Sequence, residues 1–385
     1  MGEIRFDAVR AWLFGQALAF WAEHGLDAPG RGFLEQLTLD GRPKDPGFKR
    51  LRTQARQVYA FSHAELLGWD GPARDRADAG WRFLLSTEFS DGGFPKTLNA
   101  DGSVQDPAFD LYDQAFAIYA SAWRRKATGE AEAEVVAHRT LDAVERRLGR
   151  ADRLGFRACD PDPGELVQNP HMHLLEASLA WVEATDDPRF RDLAGRILDL
   201  CLQRFMEADT GVLAEHFDAG WRPVAGQRGR LVEPGHQYEW AWLLGRAQVL
   251  LGRDLETPAR ALHGFAAHHG HNPQTRLCWD CVDADSGRPL KATSRSWAQT
   301  EALKAELALG EHWGVFNPAR IAEAVDLLLD RHLAWEPAGT WMDCFDAEGR
   351  PIADHIPASI LYHVLLAFAE LLRLQPRIQA GLLRS

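Results

Sequence analysis

Gly155-Phe156-Arg157-Ala158-Cys159-Asp160-Pro161-Asp162-Pro163-Gly164 is followed, four residues later, by Asn169-Pro170-His171-Met172-His173-Leu174-Leu175-Glu176-Ala177. The first part is a short run closed by a glycine turn, the pattern of a hairpin. The second opens a helix, with Asn169 suited to the N-cap and Pro170 to the first helical position. Asn169 and His173 are four apart and His173 and Glu176 three apart, so one helix face can present all three. Two other helix starts are built alike: Glu233-Pro234-Gly235-His236-Gln237-Tyr238-Glu239-Trp240 and Ile356-Pro357-Ala358-Ser359-Ile360-Leu361-Tyr362-His363. Each follows a long loop and carries a histidine, which predicts one shared site.

Outward from this unit the chain repeats. Apolar residues at helical spacing predict twelve helices, over 5–24, 48–67, 73–88, 110–127, 130–148, 170–184, 187–206, 234–251, 257–269, 293–309, 318–332 and 357–374. Short links alternate with six long loops, each holding two short runs around a turn; the turn glycines are Gly41, Gly102, Gly164, Gly220, Gly287 and Gly349. A period of about 60 residues, two helices plus a hairpin, is a helical-hairpin repeat. An open stack would need polar terminal repeats, yet the first and last helices are as apolar as the middle ones. The reading is an all-α fold, an (α/α)6 barrel of six inner and six outer helices over one domain, 1–385. In a closed ring the long loops share one face and lead into helices 2, 4, 6, 8, 10 and 12. The N-terminal halves of those helices then rim one mouth, where the unusual polar residues fall.

Composition narrows the partners. The formal net charge of −12 argues against nucleic acid or an anionic membrane. Five cysteines show no disulfide framework and fit a reducing compartment. Cys278 and Cys281 have no second pair, so they read as two thiols in a turn rather than a zinc site. The N-terminus lacks a basic-then-apolar signal and no apolar run reaches membrane-spanning length. The expectation is a soluble, cytoplasmic protein, with outer helices that offer surface for a homodimer.

The candidate site residues are Arg56, Tyr112, Asn169, His173, His236, Glu239, Trp297, Glu301 and His363. One buried histidine is ordinarily a core residue bonded to a carbonyl; three at the same register of three repeats point to chemistry. His171, two residues from His173, faces elsewhere and reads as structural. A metal is the rival for three histidines with Glu239, although signatures such as HExxH are absent. Arg56 sits in otherwise apolar company, and Tyr112 and Trp297 suit the apolar face of a sugar as well as a core. Walker, dinucleotide and Gly-x-Ser-x-Gly motifs are missing. A glycosidase with paired carboxylates and a non-catalytic sugar-binding barrel stay open as other classes.

Six motifs in order resemble the N-acylglucosamine 2-epimerase superfamily, which includes mannose isomerases, sulfoquinovose isomerases and cellobiose 2-epimerases. They are Arg52-Thr53-Gln54-Ala55-Arg56, Asp110-Leu111-Tyr112-Asp113-Gln114-Ala115-Phe116, the Asn169 and Glu233 stretches above, Trp297-Ala298-Gln299-Thr300-Glu301, and Tyr362-His363. The resemblance implies an (α/α)6 barrel working on an open-chain sugar through a cis-enediol(ate), with no cofactor. It implies His236 and His363 as the acid–base pair, with Glu239 orienting or polarising His236. Arg56 would stabilise the oxyanion, and His173 and Asn169 would bind hydroxyls and assist ring opening. Tyr112, Trp297 and Glu301 would hold the sugar, with Arg228 and Arg230 as further candidate contacts. Histidine supplies a base near neutrality and a fixed cation supplies oxyanion stabilisation. The family's cellobiose epimerases carry Trp-Trp before Gln-x-Glu and a Trp-Lys-Cys-Pro-Tyr-His-type ending. Here Ser296-Trp297 and Ala358-Ser359-Ile360-Leu361-Tyr362-His363 stand there, which favours a monosaccharide substrate. The expected reaction is aldose–ketose isomerisation of mannose or a close relative; 2-epimerisation of an N-acylated or free aldose is the alternative.

Overall fold

The computed structural model describes residues 3–207 and 210–381. All twelve expected helices are present. The first, α1, runs Phe6–Arg10, Ala11–Ala17 and Leu18–His24, its middle stretch π-helical. It is followed by α2 (Leu51–Leu66), α3 (Ala73–Ser86), α4 (Leu111–Thr128), α5 (Glu132–Leu148) and α6 (Asn169–Thr185). Then come α7 (Pro188–Leu200, continuing π-helical over Cys201–Phe205), α8 (Pro234–Leu251) and α9 (Glu256–His269). Last are α10 (Ser296–Trp313), α11 (Pro318–Leu327, continuing over Leu328–His332) and α12 (Ile360–Gln379).

Local signals explain many of the ends. The Asp110 carboxylate accepts the Tyr112 N–H at the start of α4, and Gly129 closes that helix with φ 75°. Asp187 caps α7 directly before Pro188. The even-numbered helices pack in a closed cycle, α2 on α4, α4 on α6, α6 on α8, α8 on α10, α10 on α12 and α12 on α2. Each odd-numbered helix lies outside this ring against its neighbours. Inner helices are buried nearly all round, as in the unbroken buried run Ser296–Gly310 of α10, which is what an inner layer enclosed by an outer one requires.

The long loops form a belt over one mouth. The strand before each inner helix pairs antiparallel with the first strand of the next loop: Lys49–Arg50 with Thr97–Leu98, Phe109–Asp110 with Cys159–Asp160, Leu166–Val167 with His216–Phe217. Leu231–Val232 likewise pairs with Cys281–Asp283 and Ser294–Arg295 with Cys344–Phe345. The belt closes where Gln36–Leu37 pairs with Ile356–Pro357. These pairings start α10 and α12 later than the periodicity predicts, because the residues before them serve as strands. The expected hairpins occur within five loops, as ladders or single bridges. The loop with Gly164 differs: Cys159–Asp160 pairs with the neighbouring loop, as the other first strands do, but with no strand of its own loop.

Candidate active site

The N-terminal halves of the inner helices converge on a cavity of about 380 Å³. Arg56 from α2, Tyr112 from α4, Asn169 and His173 from α6, His236 and Glu239 from α8, Trp297 from α10 and His363 from α12 all line it. Glu301 does not; it lies fully buried behind His363. Asn169 is not an N-cap. It is the first helical residue, and its buried Oδ1 has no hydrogen-bond partner among the described residues, which leaves it free for a ligand. His171 is structural: its Nε2 accepts the Phe156 N–H at 3.0 Å, and its Nδ1 donates to the Val167 carbonyl at 3.0 Å.

Arg56 donates to the Tyr112 hydroxyl at 2.8 Å and lies over the Phe116 and Tyr362 rings at 4.2 and 5.0 Å. The other rim arginines are committed to buried carboxylates, Arg50 to Glu35, Arg52 to Asp113 and Arg295 to Asp280. Arg228 and Arg230 sit outside the cavity, paired with Glu165 and Asp283. On the cavity floor His173 Nδ1 is 3.0 Å from Glu176, whose other oxygen accepts the Tyr362 hydroxyl at 2.5 Å.

The two outer histidines flank Trp297, with ring centroids 5.1 Å from it for His236 and 5.9 Å for His363. Their electrostatics are opposite. Burial alone would lower the His236 imidazole, but Glu215 and Glu233 outweigh it and raise it to about 9. Burial, Arg56 and Lys304 push His363 well below the ordinary value. His173 is lowered to about 4 by burial, partly opposed by Glu176.

Glu239 is not the residue that orients His236. That ring bonds through Nδ1 to Glu215, 3.0 and 3.1 Å from the two carboxylate oxygens. Glu239 instead lies 3.9 Å from His173 Nδ1, and burial and Glu301 raise its carboxyl well above the usual range. Sequence reasoning missed Glu215, Gln168 beside it, and Lys304, which is fully buried 2.6 Å from Glu301. Atoms of His173, Glu176 and Glu239 lie within 4.8 Å of one another, the spacing of a metal cage. However, His173 Nδ1 and both Glu176 oxygens are already engaged within the protein. Cys278 and Cys281 are free thiols, and burial pushes the Cys281 thiol up to about 12.

The model of the N-acylglucosamine 2-epimerase (GlcNAc 2-epimerase) family matches residues 32–367. The chain belongs to this family. The chain is similar to a mannose-6-phosphate isomerase of Rhizobium meliloti (strain 1021), 38% identical over 94% of this chain and 95% of that protein. A cellobiose 2-epimerase of Bacteroides fragilis is 24% identical over 91% of this chain and 93% of its own. The crystal structure of a D-mannose isomerase superposes with a TM-score of 0.86 at 21% identity, covering 95% of this chain and 97% of that one, and shares the (α/α)6 barrel. Family membership makes the chain a sugar isomerase or epimerase. Among the described residues no helix is long and apolar enough to cross a membrane.

Proposed function

We propose that the protein is an aldose–ketose isomerase acting on a free monosaccharide of the mannose type, without a cofactor. The observation that carries this reading is the pair of histidines flanking Trp297, one held charged and the other neutral. Neutral His363 takes the proton from C2 of the open-chain aldose, and the C–H electrons form the C1=C2 bond. The displaced carbonyl electrons go to O1, which takes a proton from the His236 imidazolium, with Arg56 stabilising the developing charge. The enediol then collapses: His363 returns its proton to C1, the O2 hydroxyl gives its proton to His236, and C2=O forms. Both histidines end as they began.

Asn169 Oδ1 and His173 are placed to bind hydroxyls, and Trp297 and Tyr112 to pack on the sugar. Pairing of Arg50, Arg52 and Arg295 with buried acids favours an unphosphorylated sugar. The alternative is 2-epimerisation, in which His236 would protonate C2 from the face opposite His363. The contact of two histidines with one ring in the same cavity gives that reading its support.

The test is NMR of the protein in D2O, incubated separately with mannose and with N-acetylmannosamine. Fructose from mannose, with deuterium at C1, supports the isomerase. Glucose from mannose, or N-acetylglucosamine from N-acetylmannosamine, with deuterium at C2, would replace it with the epimerase. Near-full turnover in both His236→Ala and His363→Ala would sink the acid–base assignment.

A further inference from the structure

Each outer histidine bonds through Nδ1 to a buried glutamate, at the same 3.0 Å, yet their surroundings shift the two imidazoles in opposite directions. The difference lies one residue further back. Behind Glu301 stands Lys304, 2.6 Å away and fully buried, its ammonium 3.9 Å from the centre of the Trp242 ring. Behind Glu215, among the described residues, no cation is in contact, only neutral donors: Gln168 Nε2 at 2.7 Å and the Glu233 backbone N–H at 3.3 Å.

The hydrogen positions around Glu215 follow by elimination. An indole N–H can only donate, so Gln168 Oε1, 2.7 Å from Trp240 Nε1, must be the acceptor. That turns the Gln168 amide nitrogen towards Glu215 and His236. A carboxylate only accepts, so His236 Nδ1 carries the hydrogen and donates it to Glu215. Nε2 is left as the ring nitrogen with no hydrogen bond to the protein among the described residues. Glu215 thus keeps its full negative charge facing His236, whereas the charge of Glu301 is already matched by Lys304 before His363 meets it.

We propose that Glu215 and Lys304 are positioning residues that divide the acid and base roles: Glu215, held by Gln168, keeps His236 an imidazolium with Nε2–H facing the cavity, and Lys304 cancels Glu301 so that His363 stays a free base. The roles rest on the isomerase reading, but the charge states do not. Other charges around the rings have to be counted. His236 also faces Glu233, itself paired with Arg295, and Glu239 and His173. His363 also faces Arg56, His173 and Glu176.

The test is a titration of the histidine Cε1–H signals by NMR without any sugar, His236 and His363 being assigned by loss of signal in their alanine variants. Glu215→Gln keeps the shape and removes the charge; the His236 midpoint is expected to fall from near 9 to 6.5 or below. Glu215→Asp keeps the charge and shortens the reach. It should retain the high midpoint while kcat falls, with KM little changed. Lys304→Met should move the His363 midpoint upwards. In turnover, the high-pH limb set by His236 should shift down in Glu215→Gln and return in Glu215→Asp. A His236 midpoint unchanged in folded Glu215→Gln, or already ordinary in the unaltered protein, overturns the proposal. So does a His363 midpoint that stays put in Lys304→Met. Because the titration needs no substrate, failure of the isomerase reading leaves this result interpretable by itself.

Discussion

Removing the ammonium of Lys304 should cost the protein far more than an ordinary side-chain truncation. Lys304 and Glu301 are both fully buried, 2.6 Å apart, and the carboxylates of Glu239 and Glu176 also act on the lysine. Breaking one member of a buried pair costs about 3–5 kcal/mol, because the other charge is left without compensation. With an unfolding entropy of roughly 2.1 cal/mol/K per residue over 385 residues, Lys304→Met should lower Tm by roughly 4–6 °C. The deficit should depend on pH. Burial already raises the Glu301 carboxyl, and Lys304 is the group that holds it down. Without the lysine the native state keeps a proton on the hydrogen-bonded Glu301–His363 pair at pH values where the unfolded chain has released it. Stability is then lost as pH rises above the unfolded carboxyl value, so the deficit is larger at about pH 8 than at about pH 5. The double variant Glu301→Gln/Lys304→Met buries a neutral pair and should regain roughly 2 kcal/mol over the sum of the singles. Calorimetry and urea unfolding of the four proteins measure this. Lys304→Met melting within about 1 °C of the parent, or single deficits that simply add, would refute the reasoning.

A methyl group at Gly235 would sit 2.5 Å from Cη2 and 2.6 Å from Cζ3 of Trp297, so Gly235→Ala should displace the indole by about 1 Å and lower kcat/KM by roughly 10–100-fold. Gly195→Ala meets nothing within 4 Å and, measured alongside, should keep activity and gain about 0.5–1 kcal/mol in unfolding free energy. Turnover should survive exhaustive treatment with EDTA, because His173 Nδ1 and both Glu176 oxygens are spent on protein partners; loss restored by one added divalent ion would overturn the metal-free reading.

The twelve helices were legible because each carries an apolar period with a glycine, proline or cap at its end, and those signals are local. Closure was legible by elimination, from apolar first and last helices with nowhere to hide. The belt was not: two-residue strands such as Gln36–Leu37 and Ile356–Pro357 have no pattern of their own, and their pairing exists only once the ring is closed. Eight of the nine candidate side chains share the cavity because register within the repeat is a geometric fact. Their supports escaped notice for different reasons. Lys304 looks like a solvated lysine three residues after a glutamate, and only the all-round burial of α10 makes it internal. Glu215 stands directly before the first strand of its loop, as do Glu35, Asp280 and Asp343. That acid recurs in four of the six repeats and could have been found by aligning them one residue further. Asn169 has the composition of a cap, but the strand Leu166–Val167 leads straight into the helix and Gln168 takes the preceding place.

The pairing of Gln36–Leu37 with Ile356–Pro357 makes the count of repeats a fixed quantity. A linear array gains or loses a unit at its end and keeps its neighbours intact. Here deleting any one unit would leave two edges facing each other across the wrong angle and open the mouth that holds the histidines in relation to one another. Any change in length must be absorbed inside the loops, where it alters the walls of the cavity without altering the circumference.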